Sequence, residues 1–302
     1  MSPERIEDTV AFVQAADARS FTVAAERLGL SRSTIGKRIA RLEARLGVRL
    51  LHRTTRSVTL TDEGATFHGR CTEILEALEA AEAVVTARGV SPSGRLRIDV
   101  PVSLGRLQVL PVLQRYMQLW PAVDVNVSFN DRYVDLIDEG IDVAVRVGSM
   151  SDSNLVSRKV APHALVTCAA PDYLARRGTP STVDDLASHD CLTFNHGGRP
   201  VEWRFRVQGA PQMVAVGGKL TSNNAEGLRD TVIAGFGIGQ LATFLIADAL
   251  RDGRLVPILA SHASEGEPLS VVYPVRRLLP PKVTAFVDLL TASWQPRPPW
   301  DH

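Results

Sequence analysis

The sequence predicts an α/β protein in three parts: a small helical head, one long helix and a two-lobed α/β domain. Three observations support this class. Residues 31–56 carry eight Lys or Arg and one acid, in a chain whose net charge is +1. An apolar seam at helical spacing follows over residues 67–85. From Arg95 onward, strand and helix patterns alternate, which indicates parallel sheet with crossover helices. At 302 residues the chain is too long for one ordinary core.

The composition narrows the function classes. The apolar fraction of 45% is typical of a globular protein. Acids among the first eight residues argue against an export signal, and glycines interrupt the longest apolar run, Val232–Ala247, which argues against a membrane span. We therefore expect a soluble, cytoplasmic protein with no membrane partner. Three widely spaced cysteines without a CxxC fit a reducing compartment and are expected to be buried, inert thiols.

The head is predicted to contain three helices. Apolar residues at amphipathic spacing predict the first helix over Arg5–Arg19. Ser20 or Thr22 can cap a short second helix that ends before Gly29. Ser31 can cap a third helix that runs to about Leu46. Helix, turn and capped helix in this order predict a helix-turn-helix.

A basic face on the third helix predicts binding to double-stranded DNA. Short polar side chains at the helix start can reach base edges, while longer cations reach phosphates. A short β-hairpin over residues 49–60 would form a wing whose arginines can enter a minor groove. The DNA-binding candidates are Arg32, Ser33, Thr34, Lys37, Arg38, Arg41, Arg53 and Arg56.

The stretch from Leu30 to Gly64 resembles the winged helix-turn-helix of LysR-type transcriptional regulators, and the resemblance extends through almost the whole chain. Its motif combines a turn glycine, a capped helix, an RLE step, the LLHRT wing and the LTDEG helix start. Two residues depart from the family pattern, because Gly36 replaces a usual Ser and Leu51 a usual Phe. Glycine removes one side-chain contact at position 36, so the family role there is not carried over.

After the wing, a long helix is predicted over residues 62–89, with an apolar seam formed by Phe67, Cys71, Ile74, Leu78, Ala81 and Val85. A narrow stripe of this kind favours pairing with a second copy, although it can instead pack on the head of its own chain. The resemblance implies a homodimer, and tetramers are common among such proteins. Pro92 and Gly94 predict a hinge over residues 90–94, after a DNA-binding domain over residues 1–61.

Residues 95–302 are predicted to form the two lobes, the first from 95–165 and 266–294 and the second from 166–265. Helices are expected at Leu104–Leu119, Asp131–Glu139, Ala225–Ala234, Thr243–Arg251 and Pro281–Ser293. The last residues, Trp294–His302, are expected to be a loose tail. By resemblance, this part is an effector domain similar to type II periplasmic solute-binding proteins, with the ligand between the lobes.

Five residues are candidates to contact that effector: Ser103, Asn130, Arg146, His196 and Asn223. Two of them start predicted helices, whose free N–H groups would clamp a carboxylate, so an organic or aromatic acid is expected. The others follow or end strands, on the side where open α/β sheets bind ligands.

Two of these candidates have alternatives. Arg146 either contacts the effector or forms an ion pair with Asp142 or Asp135. His196 either lines the site or is an exposed loop imidazole beside two glycines.

Catalytic signatures are missing from the sequence. There is no GxSxG, Walker loop or HExxH, and the glycines at 235–239 are expected to form a turn from helix into strand rather than a dinucleotide site. The sequence therefore predicts a ligand-controlled DNA-binding regulator without metal or cofactor and without enzyme activity. The alternative is a solute-binding or enzymatic α/β protein whose basic head contacts other proteins.

Overall fold

The computed structural model describes residues 3–53, 58–85, 91–148, 154–275 and 279–301. The chain divides into two compact units, Met1–Val90 and Ser91–His302. Together they contain helices and both parallel and antiparallel strands, which confirms the predicted α/β class.

Three helices form the core of the first unit: α1 (Pro3–Ala18), α2 (Phe21–Leu28) and α3 (Arg32–Leu46). Ser20, one of the two caps that the sequence offered for α2, and Ser31, the cap predicted for α3, begin these helices. The Ser20 hydroxyl accepts the Val23 N–H at 3.4 Å, and the Ser31 hydroxyl accepts the Thr34 N–H at 3.1 Å. Gly29 has φ +64°, a left-handed conformation that lets the chain turn sharply between α2 and α3.

A two-stranded hairpin follows, formed by β1 (Leu51–Arg53) and β2 (Val58–Leu60) in antiparallel register. Glu43 ties it to α3, because its carboxylate accepts the backbone N–H groups of Leu50 and Leu51 at 2.9 and 3.2 Å. The next helix is α4 (Asp62–Val85), and Gly64 in its first turn lies against the backbone just before β1. A Cβ at Gly64 would lie 1.9 Å from the Leu50 carbonyl oxygen, so glycine is required at this crossing.

The seam of α4 divides into two parts. Phe67 and Cys71 pack into the core of the head, with the Phe67 ring 5.6 Å from that of Phe12. This corrects the expectation that all six seam residues serve pairing, because the first turns of α4 cover α1. Ile74 and Leu78 are exposed, at 59% and 42%. The side chains of Ala81 and Val85 lie outside the described part of the chain.

The second unit begins with a five-stranded sheet in the order β4-β3-β5-β15-β6, in which β15 spans Leu269–Pro274. Its elements in chain order are β3 (Gly94–Val100), α5 (Val102–Leu104), a π-helical turn (Gly105–Val109), α6 (Leu110–Leu119), β4 (Val123–Phe129), β5 (Val143–Val147) and β6 (Leu155–Ala161). Strands β4 and β5 run parallel to β3, so their carboxyl ends meet at one edge of the sheet.

A second sheet has the order β12-β8-β13-β7-β14, with β9 paired to β8 and a separate β10-β11 hairpin. Its elements are β7 (Leu165–Ala169), α7 (Pro171–Arg177), a 3₁₀ turn (Asp184–Ser188), β8 (Cys191–His196), β9 (Arg199–Pro200), β10 (Trp203–Val207), β11 (Ala210–Val214), β12 (Thr221–Ser222), α8 (Ala225–Ile233), β13 (Ile238–Ala242), α9 (Thr243–Arg251), β14 (Val256–Pro257) and a 3₁₀ turn (Ala260–His262).

The chain then returns to the first sheet. Strand β15 (Leu269–Pro274) lies between β5 and β6, antiparallel to both, and α10 (Pro281–Trp294) packs on this sheet. Lys282 of α10 contacts Asp142 at 3.3 Å, and both side chains are buried. Within the described ranges, no helix combines the length and apolarity that crossing a bilayer requires.

Two sequence-based expectations about this unit are wrong. Residues Asp131–Glu139 form turns rather than a helix, because the Asp135 carboxylate accepts the Ile137 and Asp138 N–H groups and closes a turn. The C-terminal tail is ordered up to its last aromatic residue. Trp300 is buried, with its ring 5.2 Å from that of Trp294, because the core of the first sheet extends to it.

Candidate functional site

Helix α3 presents two different faces. Ile35, Ile39 and Leu42 are fully buried in the head, at the spacing of a single helical stripe. Arg32, Ser33 and Lys37 are exposed on α3. We call these three residues, together with Gly36 and Ala40, the outer face of α3. It combines two cations with one hydroxyl and two small residues that allow close approach of a partner.

Arg38 and Arg41 behave differently from this outer face. The Arg38 guanidinium contacts Glu7 at 2.6 Å, and Arg41 binds both carboxylate oxygens of Asp8 at 2.6 to 3.2 Å. Arg45 adds a third contact to Asp8 at 3.3 Å. Asp8 is fully buried, and its hydrogen bonds raise the pKa of Arg41 above the usual arginine value. These arginines therefore tie α3 to α1, a role that their spacing along α3 does not reveal.

The remaining candidates in the head are placed as follows. The Thr34 hydroxyl lies 2.8 Å from the Ser31 hydroxyl, within the N-cap of α3. Arg53 ends β1, and its side chain lies outside the described residues, as does the whole of Arg56. The structure therefore brings Arg32, Ser33 and Lys37 to one surface and places Thr34 in the cap.

In the second unit, a cavity of about 360 Å³ lies between the two sheets. Four of the five effector candidates line it: Ser103, Asn130, Arg146 and His196. The cavity lies at the carboxyl ends of the parallel strands of the first sheet, where open α/β folds bind ligands. Asn223 is exposed and is not among the lining residues of the cavity. The N-cap of α8 is the next residue, Asn224, whose side chain accepts the Gly227 N–H at 2.7 Å. The two-sided clamp that the sequence predicted is not formed by these residues.

For Arg146 the structure shows an ion pair, which is one of the two alternatives from the sequence, but with a different acid from those expected. Arg146 lines the cavity, yet it is buried and forms an ion pair with Asp99 of β3 rather than with Asp142 or Asp135. The Asn130 amide donates to the other oxygen of the same carboxylate. Asp99 is fully buried and was missed from the sequence, although an acid inside the apolar strand LRIDV is a signal of a buried pair.

Ser103 also has an internal partner. Its hydroxyl hydrogen-bonds to Glu226 in the first turn of α8, and the Arg106 guanidinium binds the same carboxylate, with Nε at 2.9 Å. Arg106 in particular lowers the pKa of Glu226. The Val102 N–H at the start of α5 donates to the Asp131 carboxylate at 3.0 Å. The helix start expected to bind an anion is therefore already occupied by acids of the protein.

Aromatic rings form much of the remaining wall. His196 ends β8, where a Gly197-Gly198 turn with positive φ angles connects it to β9, so it is held by a hairpin rather than by a free loop. Its ring lies edge-on to Tyr133 at 5.5 Å. His163 lies 6.0 Å from the Phe244 ring, and burial lowers its pKa to about 4. His163 is therefore a neutral imidazole at neutral pH.

The described residues contain neither a cluster suited to a metal ion nor a reactive thiol. No cluster of three His, Cys, Asp or Glu there could hold a metal ion. The cysteines are free and buried, and burial raises the pKa of Cys71 to about 11 and of Cys168 and Cys191 to about 12. Thiols protonated in this way are poor nucleophiles.

Comparison with known families matches both units. Residues 6–65 match the model of the bacterial regulatory helix-turn-helix protein, lysR family, and residues 89–295 match the LysR substrate binding domain. Among curated relatives, an uncharacterized HTH-type transcriptional regulator, YhjC of Escherichia coli, is 34% identical, covering 95% of this chain and 97% of the relative. The HTH-type transcriptional regulator CrgA of Neisseria meningitidis is 33% identical, covering 94% and 95%.

Two solved full-length structures are similar over nearly the whole chain. The structure of CrgA from Neisseria meningitidis, a LysR-type transcriptional regulator, has a TM-score of 0.63 at 31% identity and covers 96% of this chain and 98% of its own. That of AphB, a virulence activator from Vibrio cholerae, has a TM-score of 0.61 at 27% identity, with 95% and 98% covered.

Proposed function

The chain belongs to the LysR family of bacterial helix-turn-helix transcriptional regulators. We therefore propose that it binds operator DNA through α3 and that a small molecule bound in the 360 Å³ cavity controls its activity. The DNA-binding part of this proposal rests on the outer face of α3. Arg32 and Lys37 are exposed there, and Ser33 lies between them with its hydroxyl accessible. Short donors beside long cations are the combination that reads base edges while neutralising phosphates. Action on the chromosome also supports the cytoplasmic location expected from the sequence.

A salt-dependent gel shift tests this proposal. The probes are duplex DNA from upstream of the protein's own gene and a random duplex of equal length. We expect binding to both, tighter to the first, with an affinity that falls steeply as salt rises, because each neutralised phosphate releases a counterion. Lys37→Ala should weaken binding to both probes and reduce the slope of log K against log salt by about one.

Lys219→Ala is the matched control. It removes one exposed lysine from the second unit, where Lys219 contacts Asp190 at 3.7 Å. This variant changes the net charge by the same amount and should leave the affinity and its salt slope unchanged. Equal losses in the two lysine variants, or no DNA binding at low salt, would contradict the assignment to α3.

We also propose that the exposed part of the α4 seam pairs two copies of the chain. Ile74 and Leu78 are large apolar side chains four residues apart on one helical stripe, and both are accessible to solvent. Pairing would place two copies of α3 on one duplex and make the operator a pair of related half-sites.

Light scattering on Ile74→Glu/Leu78→Glu tests this proposal, because the double variant should have half the mass of the wild type. Phe236→Glu is the control, since Phe236 is 68% exposed in the second unit. An unchanged mass in the double variant would refute the pairing.

Control by a ligand requires that the ligand bind two states of the protein unequally. The cavity is suited to this because its walls come from both sheets. The Arg106–Glu226 ion pair connects the segment after β3 to α8, and the Tyr133–His196 ring contact connects the turn after β4 to β8. A molecule bound between these contacts would change the separation of the two sheets.

A further inference from the structure

Taking the proposed effector cavity as the premise, we infer that its effector is an uncharged, ring-containing molecule rather than the organic acid expected from the sequence. The inference rests on the charge balance of the wall. The lining residues carry three guanidinium groups, on Arg132, Arg146 and Arg204, and three carboxylates, on Asp131, Glu202 and Glu267. The buried Asp99 behind Arg146 adds a fourth carboxylate, so this set has a net charge of −1. A carboxylate entering this cavity meets no excess of positive charge.

Two of the three guanidinium groups, those of Arg146 and Arg204, already have an acidic partner in the protein. Arg146 is held by Asp99 and by the Val145 carbonyl, and its charge is compensated inside the protein. Arg204 contacts Glu267 at 2.5 Å, and both lie on the cavity wall. A ligand acid would have to displace an internal acid from each group, while losing its own hydration, and such an exchange yields little net attraction.

The hydrogen-bond donors at the helix starts are occupied in the same way. Asp131 accepts the Val102 N–H, and Glu226 accepts the Ser103 hydroxyl. A free helix N-terminus would attract an anion, but this one already has the Asp131 carboxylate on it. The sequence alone shows the serine at the helix start and not the acids that fold back onto it.

Apart from Arg132 and Glu202, which are exposed, the groups left for a ligand to touch are apolar surface and neutral polar groups. Phe194, Trp203 and Phe244 line the cavity, together with leucines from two strands of the second sheet and from helices α5, α8 and α9. The imidazole of His163 is uncharged at neutral pH and offers hydrogen bonding without charge. The volume lies near the lower end of the range of about 300 to 1,000 Å³ typical of small-ligand sites. A flat ring bearing a neutral polar group suits these walls.

Three nearly isosteric probes test the charge preference directly: benzamide, benzoate and benzamidine, which are neutral, anionic and cationic at pH 7.5. Binding to the full-length protein is measured by titration calorimetry, with the naphthalene analogues of each probe as a larger set. We expect the neutral amide to bind at least tenfold more tightly than the matched acid and amidine in one or both ring sizes. Tighter binding by an acid or an amidine, or no binding by any of the six compounds, would overturn the inference.

Two variants make the test independent of the unknown natural ligand. Glu267→Gln removes one carboxylate from an exposed ion pair and leaves Arg204 unpaired, at small cost in stability. Asp99→Asn removes the buried carboxylate behind Arg146 but keeps an acceptor oxygen. Each variant should bind benzoate about tenfold more tightly than the wild type does, with benzamide affinity unchanged. If Asp99→Asn fails to fold, the benzoate and benzamide affinities of Glu267→Gln alone test the inference.

The matched control is Asp288→Asn. It removes an exposed carboxylate from the Arg158–Asp288 pair, at 3.4 Å, and Asp288 does not line the cavity. Its probe affinities should equal those of the wild type. An equal gain in benzoate affinity in this control would show a general charge effect and overturn the inference. The operator gel shift, done without ligand, reports separately on the proposed regulator function, so a wrong ligand class and a wrong function give different results.

Discussion

The outer face of α3 and the wall of the ligand cavity use the same cationic side chains in opposite ways. On α3, Arg32 and Lys37 extend from the surface, and their charges face solvent. In the cavity, Arg146 is buried and its charge is matched by Asp99. The first arrangement leaves the cations available to a polyanion outside the protein. The second uses a cation to complete an internal network and leaves the cavity without excess positive charge.

This difference shows that the number of arginines near a site does not define its ligand. A charge attracts an external partner strongly when no internal partner has already neutralised it. Within the head, the same distinction separates the outer face from Arg38 and Arg41, which bind acids of α1. The predictions below test this distinction and the residues around it, from the largest expected effect to the smallest.

The largest effect is expected from Asp99→Ala, because it leaves the buried Arg146 charge without compensation. Loss of one partner of a buried pair typically costs about 3 to 5 kcal/mol. Urea unfolding followed by tryptophan fluorescence measures it, since all four tryptophans (Trp120, Trp203, Trp294 and Trp300) lie in the second unit. Asp288→Ala, at an exposed pair, should cost less than about 1 kcal/mol. Similar losses in both variants would contradict a special role for the buried pair.

Acidification should destabilise the second unit through His163. Burial lowers the pKa of this imidazole to about 4 in the folded protein, whereas the unfolded chain titrates near 6.5. Between these pH values the unfolded state binds a proton that the folded state does not, so stability falls as the pH drops from about 6.5 to 4. The expected contribution is about 2 to 3 kcal/mol. Tryptophan-monitored unfolding of His163→Gln should show a correspondingly smaller loss across this range, and an identical pH dependence would refute the assignment.

The sequence predicted what depends on neighbours in the chain. The cap at Ser31 was predictable because its hydroxyl binds an N–H only three residues further along the chain. The turn between α2 and α3 was predictable for the same reason, since it depends on Gly29 alone. The alternation of strands and helices after Arg95, together with the family resemblance, led to five effector candidates, and four of them line one cavity.

The failures involve partners that are distant in sequence. Asp8 and Arg41 are 33 residues apart, and Asp99 and Arg146 are 47 apart, so neither pair has a local signature. The helix expected over Asp131–Glu139 failed for a different reason, because Asp135 closes a turn that competes with helical hydrogen bonds. Trp300 was assigned to a loose tail, since nothing near the C-terminus reveals that Trp294 and Phe244 pack against it.

A smaller effect is expected from Asp8→Ala, which removes the internal partner of Arg41 and Arg45. The head should lose about 2 kcal/mol, because charge-assisted hydrogen bonds are broken while both arginines can still reach solvent. Helical circular dichroism during urea unfolding of a fragment ending at residue 90, the boundary of the first compact unit, reports this loss. In the gel shift, the two released cations should strengthen binding to the random duplex and steepen its salt slope. Weaker binding to both duplexes would show that the pair with Asp8 is needed to position α3.

The smallest effect, and the most specific, is expected from Ser33→Ala. Ser33 is exposed, and within the described chain its hydroxyl has no side-chain hydrogen bond. Its loss should leave stability and random-duplex binding unchanged but reduce preference for the operator by three- to tenfold, or about 1 kcal/mol. Thr34→Ala is the informative comparison, because the Thr34 hydroxyl contacts the Ser31 cap. It should reduce the stability of the head more than it reduces operator preference. If Ser33→Ala instead weakens binding to both duplexes equally, the hydroxyl contacts phosphate, and base reading must lie elsewhere on the outer face of α3.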